Sequence, residues 1–113
     1  MEWIQLTSEE QLDELIQKSN HKPQVIFKHS IRCGISSMAL SRLERTYTET
    51  NADFYFLDIL SYRGISNKIA SEFNVAHESP QILVIVKGEC VYDESHSGIN
   101  MDEIVEQAQL HKA

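Results

Sequence analysis

The chain has 113 residues, 42% of them hydrophobic and 24% charged, which suits one globular domain over residues 1–113. Its net charge of −7 argues against a broad nucleic-acid surface and against docking to anionic membranes, because both need clustered basic residues. The chain shows no secretory signal at its start, and its longest apolar run, residues 82–86, is far shorter than the roughly 20 residues of a membrane span. We therefore expect a cytoplasmic protein.

Capping signals, hydrophobic periodicity and chain breakers predict four helices and four strands. Thr7 and Glu10 form a capping box, which predicts the start of the first helix, and Pro23 follows the end of that helix. Residues 25–27 form a short apolar run between polar residues, which is typical of a central strand buried on both faces.

The second helix is predicted to begin after Cys33 and to extend to about Thr50. Its apolar face is predicted to consist of Ile35, Met38, Ala39, Leu40, Leu43 and Tyr47. Residues 54–59 are mainly aromatic and apolar, and they predict the second strand.

A third helix is predicted from apolar residues spaced four apart, namely Ile65, Ile69 and Phe73. Ser79–Pro80 then interrupts the chain, and residues 81–86 predict the third strand. Residues 87–89 predict a tight hairpin connection, and residues 90–92 predict the returning strand.

The last helix is predicted to begin at Asn100, with Glu103 three residues later and Ile99 and Ile104 placed for a hydrophobic staple. The resulting order of elements predicts an α/β domain with a four-stranded mixed sheet and helices on both faces. This order resembles that of a thioredoxin-like fold.

Cys33 and Ser36 form the sequence Cys-x-x-Ser between the first predicted strand and the second helix. A thiol at a helix N-terminus beside cationic side chains ionises more readily, and the thiolate is the reactive form. The arrangement matches a redox motif in which serine replaces the second, resolving cysteine. We interpret Cys33 as a catalytic nucleophile, and Ser36 as a helix-capping hydroxyl or a donor to the thiolate.

In thioredoxin-like proteins the third strand begins beside the reactive cysteine, after a proline that is typically cis. This likeness implies that Pro80 packs against Cys33 and that the backbone of Ser79 pairs with a bound thiol substrate. Cys90 is expected on the order of 15–20 Å from Cys33, whereas a disulfide needs Cα atoms within about 7 Å. Cys90 is interpreted as a packed strand cysteine, with a resolving or dimer-forming thiol as the alternative.

The turn that contains Ser97 and Gly98 is expected to return toward Cys33 with the start of the last helix. Free backbone N–H groups there could bind an anion, and Lys28 and Arg32 would add positive charge on the other side. A small thiol that carries carboxylates would fit between them.

Two histidines precede these residues, His29 before Cys33 and His77 before Pro80. Both are interpreted as surface imidazoles, with a position near the site as the alternative. A structural metal site needs four convergent ligands, and the sequence has no Cys/His cluster with that spacing, so no metal is expected.

Four segments of the chain resemble the YtxJ family of bacillithiol-system proteins, the monothiol bacilliredoxins. They are residues 27–30 (Phe-Lys-His-Ser), 36–40 (Ser-Ser-Met-Ala-Leu), 79–81 (Ser-Pro-Gln) and 95–97 (Ser-His-Ser). The resemblance extends from Trp3 to the last helix. The Phe-Lys-His-Ser stretch with one cysteine is fairly specific, whereas Cys-x-x-Ser alone is not.

The resemblance implies a thiol–disulfide oxidoreductase that removes bacillithiol from client proteins. Cys33 would attack a protein–bacillithiol mixed disulfide, free the client thiol and carry the bacillithiol itself. A second bacillithiol or a thioredoxin-like reductase would then regenerate Cys33. Bacillithiol would act as a thiol co-substrate, with no tightly bound cofactor, and its malate carboxylates suit the expected anion site.

One residue departs from the family pattern, because Gly34 follows the cysteine where the family commonly has proline. Cys33-Gly34-Ile35-Ser36 also resembles the Cys-Gly-Phe-Ser signature of monothiol glutaredoxins, which bind an iron–sulfur cluster between two subunits. Two alternatives to thiol exchange therefore stay open, an iron–sulfur cluster carrier and a non-catalytic adaptor with a thioredoxin-like fold.

Overall fold

The computed structural model describes residues 1–111 and contains a mixed five-stranded sheet in the order β1-β3-β2-β4-β5. The strands are β1 (Ile4–Gln5), β2 (Gln24–His29), β3 (Asp53–Asp58), β4 (Gln81–Val86) and β5 (Glu89–Ser95). The helices are α1 (Glu9–Lys18), α2 (Gly34–Arg45), α3 (Arg63–Phe73) and α4 (Met101–Leu110). A short 3-10 turn, His96–Gly98, joins β5 to α4. The predicted α/β class and mixed sheet are confirmed.

The sheet has one more strand than predicted. Ile4 and Gln5 pair in parallel with Tyr55 and Phe56 and place β1 at the edge of the sheet beside β3. Both β1 residues are exposed, so this strand shows no alternation of buried and exposed side chains. A strand of two residues without that alternation gives no periodic signal in the sequence.

The central strand β2 pairs in parallel with β3 and antiparallel with β4. All six of its residues are buried, including Lys28 and His29, so the strand continues beyond the predicted apolar run 25–27. The register of the antiparallel pairing with β4 joins Lys28 to Gln81, in agreement with the expectation that this strand begins near the reactive cysteine. The C-terminal end of β2 and the N-terminal end of β4 therefore meet at the same end of the sheet.

The sheet separates two hydrophobic cores. On one face α1 and α3 pack against alternate strand residues such as Ile26 and Leu83. On the other face α2 and α4 pack against Phe27 and Ile82. Side chains alternate along a strand, so neighbours on β2 belong to different cores. Among residues 1–111, no helix has the length and apolar character to cross a membrane.

Two predicted helix limits are wrong. The N-cap of α1 is Ser8 rather than Thr7, since the Ser8 hydroxyl accepts a hydrogen bond from the Gln11 backbone N–H at 3.1 Å. Helix α2 ends at Arg45 rather than near Thr50. The Thr46 hydroxyl donates to the Arg42 carbonyl at 2.6 Å, and the β-branched threonines of this stretch disfavour a longer helix.

The predicted hairpin and the predicted start of the last helix are confirmed, whereas the returning strand, Glu89–Ser95, is longer than the predicted 90–92. Lys87 and Gly88 both have positive φ, +51° and +78°, as a two-residue hairpin of type I′ requires. Asn100 is the N-cap of α4, and its side chain accepts from the Glu103 backbone N–H at 2.9 Å. The flanking Ile99 and Ile104 are both buried in the same core, as a hydrophobic staple requires.

Replacing the cap of α4 should measurably destabilise the protein. Asn100→Ala leaves the Glu103 N–H without its partner and is expected to lower the free energy of unfolding by about 1 kcal/mol. Asn100→Ser retains a capping oxygen and should lie within a few tenths of a kcal/mol of the wild type. Urea denaturation measures both. Equal losses in the two variants would contradict the capping role.

Candidate active site

Cys33 lies at the junction between β2 and α2, at the end of the sheet where β4 begins. It is the N-cap of α2, with φ −110° and ψ 117°, and its side chain is a partly exposed free thiol. The Cys33 N–H donates to the Ser30 carbonyl at 3.1 Å, which closes the turn between strand and helix. The sequence placed the cysteine at a helix start, and the structure confirms this position.

Ser36 is fully buried in the first turn of α2, directly below the Cys33 turn. Its hydroxyl accepts from the Ser30 backbone N–H at 3.1 Å and lies 2.6 Å from Nδ1 of His29. Ser36 therefore does more than cap a helix, since it ties α2 to the end of β2.

His29 is 4% exposed, so its interpretation as a surface imidazole is wrong. Its ring stacks against Phe27 and lies 5.2 Å from the Phe56 ring, centroid to centroid. Burial lowers the pKa of His29, while the carboxylate of Asp58 acts in the opposite direction. The sequence signal was the alternation Val25, Phe27, His29, which puts all three side chains on the α2 face of the sheet.

Pro80 lies at the same end of the sheet as Cys33. The Ser79–Pro80 peptide bond is cis, and the Pro80 carbonyl accepts from the His96 N–H at 3.1 Å. The Gln81 side chain donates to the Ala76 carbonyl at 3.0 Å and fixes the segment before the proline. The Ser79 hydroxyl is buried and has no hydrogen-bond partner within residues 1–111.

Lys28 does not face the substrate side of Cys33 as the sequence analysis expected. Its side chain is fully buried on the α3 face, where Nζ donates to the Ser66 carbonyl at 3.2 Å and lies 3.3 Å from Nδ1 of His77. The cause is strand alternation, which turns Lys28 away from the face that carries His29. Burial lowers the pKa of Lys28 to about 8. His77 is exposed, as expected, yet its ring belongs to this internal cluster.

The other predicted binding residues are at the surface. Arg32 is exposed beside Cys33, and Ser97 and Gly98 are exposed on the 3-10 turn. The Glu94 side chain lies so close to Gly98 that a Cβ there would come within 2.5 Å of it. The first turn of α4 also carries Asp102 and Glu103, and its cap is internal. The expected anion site at this helix start stays a prediction, which the nearby carboxylates of Glu94, Asp102 and Glu103 disfavour.

Three apolar side chains close to the cysteine in sequence are exposed at the surface. Ile31, Ile35 and Met38 are 65%, 56% and 68% exposed, so Ile35 and Met38 do not belong to the buried face of α2 as predicted. A cleft of about 260 Å³ adjoins them, lined by Ile35, Met38, Arg42, His96 and Ser97. The Arg42 guanidinium is held in place by donating to the Ile99 carbonyl at 2.8 and 3.2 Å.

Cys90 lies at the opposite end of the sheet from Cys33. It pairs with Ile85, which in turn pairs with Gln24 at the start of β2. Its thiol is half-buried, and burial raises its pKa to about 11. This agrees with the interpretation of Cys90 as a packed strand cysteine.

Comparison with known proteins agrees with this geometry. The family model described as monothiol bacilliredoxin BrxC matches residues 4–104. The chain belongs to the monothiol bacilliredoxin family. A solved structure described as "a putative oxidoreductase with a thioredoxin fold" is 35% identical to this bacilliredoxin family member, with a TM-score of 0.80. The match covers 94% of this chain and 92% of the other.

Thioredoxins of much lower identity share the fold of this bacilliredoxin family member. The thioredoxin from Trypanosoma brucei brucei is 14% identical with a TM-score of 0.76, over 96% of this chain and 88% of its own. A reduced thioredoxin from Schistosoma mansoni is 18% identical with a TM-score of 0.74, over 98% and 99%. The predicted thioredoxin-like fold is confirmed. Together, family and fold identify a redox thiol protein of the oxidoreductase type.

The buried Lys28 gives a pH-dependent test of the internal cluster. Its pKa falls from 10.5 to about 8 on folding, so the unfolded chain binds more protons between these values and stability rises with pH there. The free energy of unfolding of the wild type, relative to Lys28→Met, should therefore increase by about 2 kcal/mol from about pH 7 to about pH 10. Urea denaturation at both values measures it.

The comparison with Lys28→Met cancels other groups that titrate in this range. Lys18→Met removes an exposed lysine and serves as the control, with a stability curve parallel to the wild type. Parallel curves for Lys28→Met and the wild type would contradict burial of an ionisable amine at this position.

Proposed function

We propose that this protein removes bacillithiol from protein mixed disulfides, with Cys33 as the single nucleophile. The observation that carries the proposal is a partly exposed thiol at the N-terminus of α2, at the same end of the sheet as Pro80 and with a buried serine in the resolving position. A cytoplasmic location and client proteins that carry bacillithiol belong to the same proposal.

The exchange consists of two displacement steps. In the first step the Cys33 thiolate attacks the bacillithiol sulfur of the mixed disulfide. A Cys33–bacillithiol disulfide forms, the original S–S bond breaks, and the client leaves as a thiolate that takes a proton from water. In the second step a bacillithiol thiolate, or a thiolate of a thioredoxin-like reductase, attacks the bacillithiol sulfur of this disulfide, forms a new disulfide with it and releases Cys33 as a thiolate. The reducing electrons come from the second thiol.

The second step needs an external thiol because Cys90 is unsuited to resolve the adduct. Cys90 lies at the far end of the sheet, and its raised pKa leaves little thiolate at neutral pH. The hydroxyl of Ser36 replaces the internal thiol that a dithiol enzyme would use. The Cys33 adduct should consequently persist until a small thiol or a reductase arrives.

The surface beside Cys33 suits a thiol that carries carboxylates and is attached to a protein. Arg32, which precedes Cys33, supplies an exposed positive charge, and the backbone of Ser79 lies at the same end of the sheet. The exposed Ile31, Ile35 and Met38 offer apolar contact to the client, and Ser97 lines the adjoining cleft. Lys28 and Gly98 have no direct part in this proposal.

Intact-mass analysis after reaction with a bacillithiolated client protein tests the proposed function. The wild type and Cys90→Ser should each gain one bacillithiol and release the client as a free thiol. Cys33→Ser should gain none, since it lacks the nucleophile. Failure of well-folded wild type to gain the adduct would overturn the proposal, and anaerobic cluster reconstitution would then test the iron–sulfur alternative.

Arg32 should accelerate exchange through its charge. We expect Arg32→Gln to lower the second-order rate constant with a bacillithiolated client about two- to fivefold at low salt, the effect of one exposed ion pair. Arg45→Gln removes an equally exposed charge at the other end of α2 and should leave the rate unchanged. The difference should shrink at high salt. Equal rates for Arg32→Gln and the wild type would exclude this role.

A further inference from the structure

The exchange steps above make no use of a buried histidine that contacts the residue beneath the nucleophile. His29 Nδ1 lies 2.6 Å from Ser36 Oγ, and both residues are almost completely removed from solvent. Ser36 is the third residue of α2, and the N-cap and third positions of a helix face each other across the first turn. Ser36 therefore contacts His29 directly and lies in the same first turn of α2 that Cys33 caps.

The proton inventory of this contact allows only two arrangements. Ser36 Oγ already accepts the Ser30 N–H at 3.1 Å. If the His29 ring is neutral with an unprotonated Nδ1, the only hydroxyl proton of Ser36 is donated to that nitrogen. If Nδ1 carries a proton, it donates to Ser36 Oγ instead, and the hydroxyl proton of Ser36 becomes free for another acceptor.

The surroundings of His29 make the two arrangements sensitive to charge. On β2 and β3 the ring contacts Phe27 and Phe56, which offer it no hydrogen bond. Asp58, paired with His29 on β3, is the charged group that acts on the ring. Ser36 is the polar residue of α2 that contacts the ring. The Asp58 carboxylate is itself engaged, accepting from Leu60 N–H and the Ser61 hydroxyl at 3.0 Å each.

We propose that His29 is a positioning residue that acts through Ser36 on Cys33. In this proposal the neutral His29 ring carries its proton on Nε2, so that protonation at Nδ1 frees the Ser36 hydroxyl to donate toward the first turn of α2, where it stabilises the Cys33 thiolate. By linkage, the thiolate in turn favours protonation of His29. This inference rests on the proposed function only in that exchange requires the Cys33 thiolate.

The coupling has a signature that a merely structural role lacks. An isolated thiol gains reactivity tenfold per pH unit below its pKa, so the logarithm of its alkylation rate rises with a slope of about one. In the coupled pair, His29 loses its proton as pH rises, which withdraws the donor from the thiolate. The slope for Cys33 should therefore fall clearly below one across the titration of His29, which burial shifts below the usual range of histidine.

The test is the rate of Cys33 alkylation by iodoacetamide between about pH 5 and about pH 10. The readout is the mass of the Cys33 peptide, so Cys90 does not interfere. His29→Asn retains a hydrogen-bonding group near the Nδ1 position but does not titrate. We expect it to restore a slope of about one and to react about tenfold more slowly than the wild type near pH 5, the worth of one hydrogen bond to a charged group.

Three further variants make the result decisive. Ser36→Ala should also give a slope of about one, and combining it with His29→Asn should add no further change. His21→Asn removes an exposed imidazole outside the site and should match the wild type. A wild-type slope of one, or a reduced slope that persists in His29→Asn or in Ser36→Ala, would overturn the proposal. Because the probe contains no bacillithiol, failure here is distinct from failure of the proposed function.

Discussion

The antiparallel pairing of β4 with β2 is the constraint on which the candidate site depends. A β2–β4 register that joins Lys28 to Gln81 places the C-terminal end of β2 and the N-terminal end of β4 at the same end of the sheet. The Cys33 turn follows the first of these positions, and the Pro80 segment precedes the second. Two segments far apart in sequence are thus held together by strand hydrogen bonds, and a one-residue slip of register would separate them and reverse every side chain.

The same strand geometry explains why two polar residues are buried beside the site. β2 lies in the middle of the sheet, so both of its faces are covered, and the residues after Phe27 must find internal partners. Lys28 finds the Ser66 carbonyl and His77 on one face, and His29 finds Ser36 on the other. Each polar side chain ties the strand to a helix. An apolar pair at these positions would pack equally well but would not link β2 to α2 and α3 in this way.

Much of the fold could be predicted because its signals are local. A few neighbouring residues are enough to predict the buried run of β4, the Asn100 cap and the hairpin at Gly88. The edge strand β1 could not be predicted, since two exposed residues carry no periodicity. The prediction that Ile35 and Met38 are buried was wrong, because helical spacing shows which residues share a face but not whether another element covers that face.

The residues of the candidate site also separate into those with a local sequence signal and those without one. The positions of Cys33, Ser36 and Pro80 follow from element order, whereas the surroundings of Lys28 and His29 depend on which face of β2 each side chain occupies. That assignment requires the strand to be extended past its apolar core, and charge alone argues against such an extension. A lysine and a histidine that follow the apolar run of a central strand therefore indicate that the strand continues, with side chains still alternating between its two faces.

The loss of the second cysteine changes what the buried groups near the nucleophile can do. In a dithiol enzyme the residue three positions after the nucleophile must become a thiolate, so a proton has to leave it. Here that residue is a serine, whose hydroxyl stays protonated and can only redirect its hydrogen bond. A titratable neighbour such as His29 can therefore influence Cys33 through orientation of a fixed proton rather than through removal of one, and His29 contacts the serine hydroxyl directly, at 2.6 Å in a buried position.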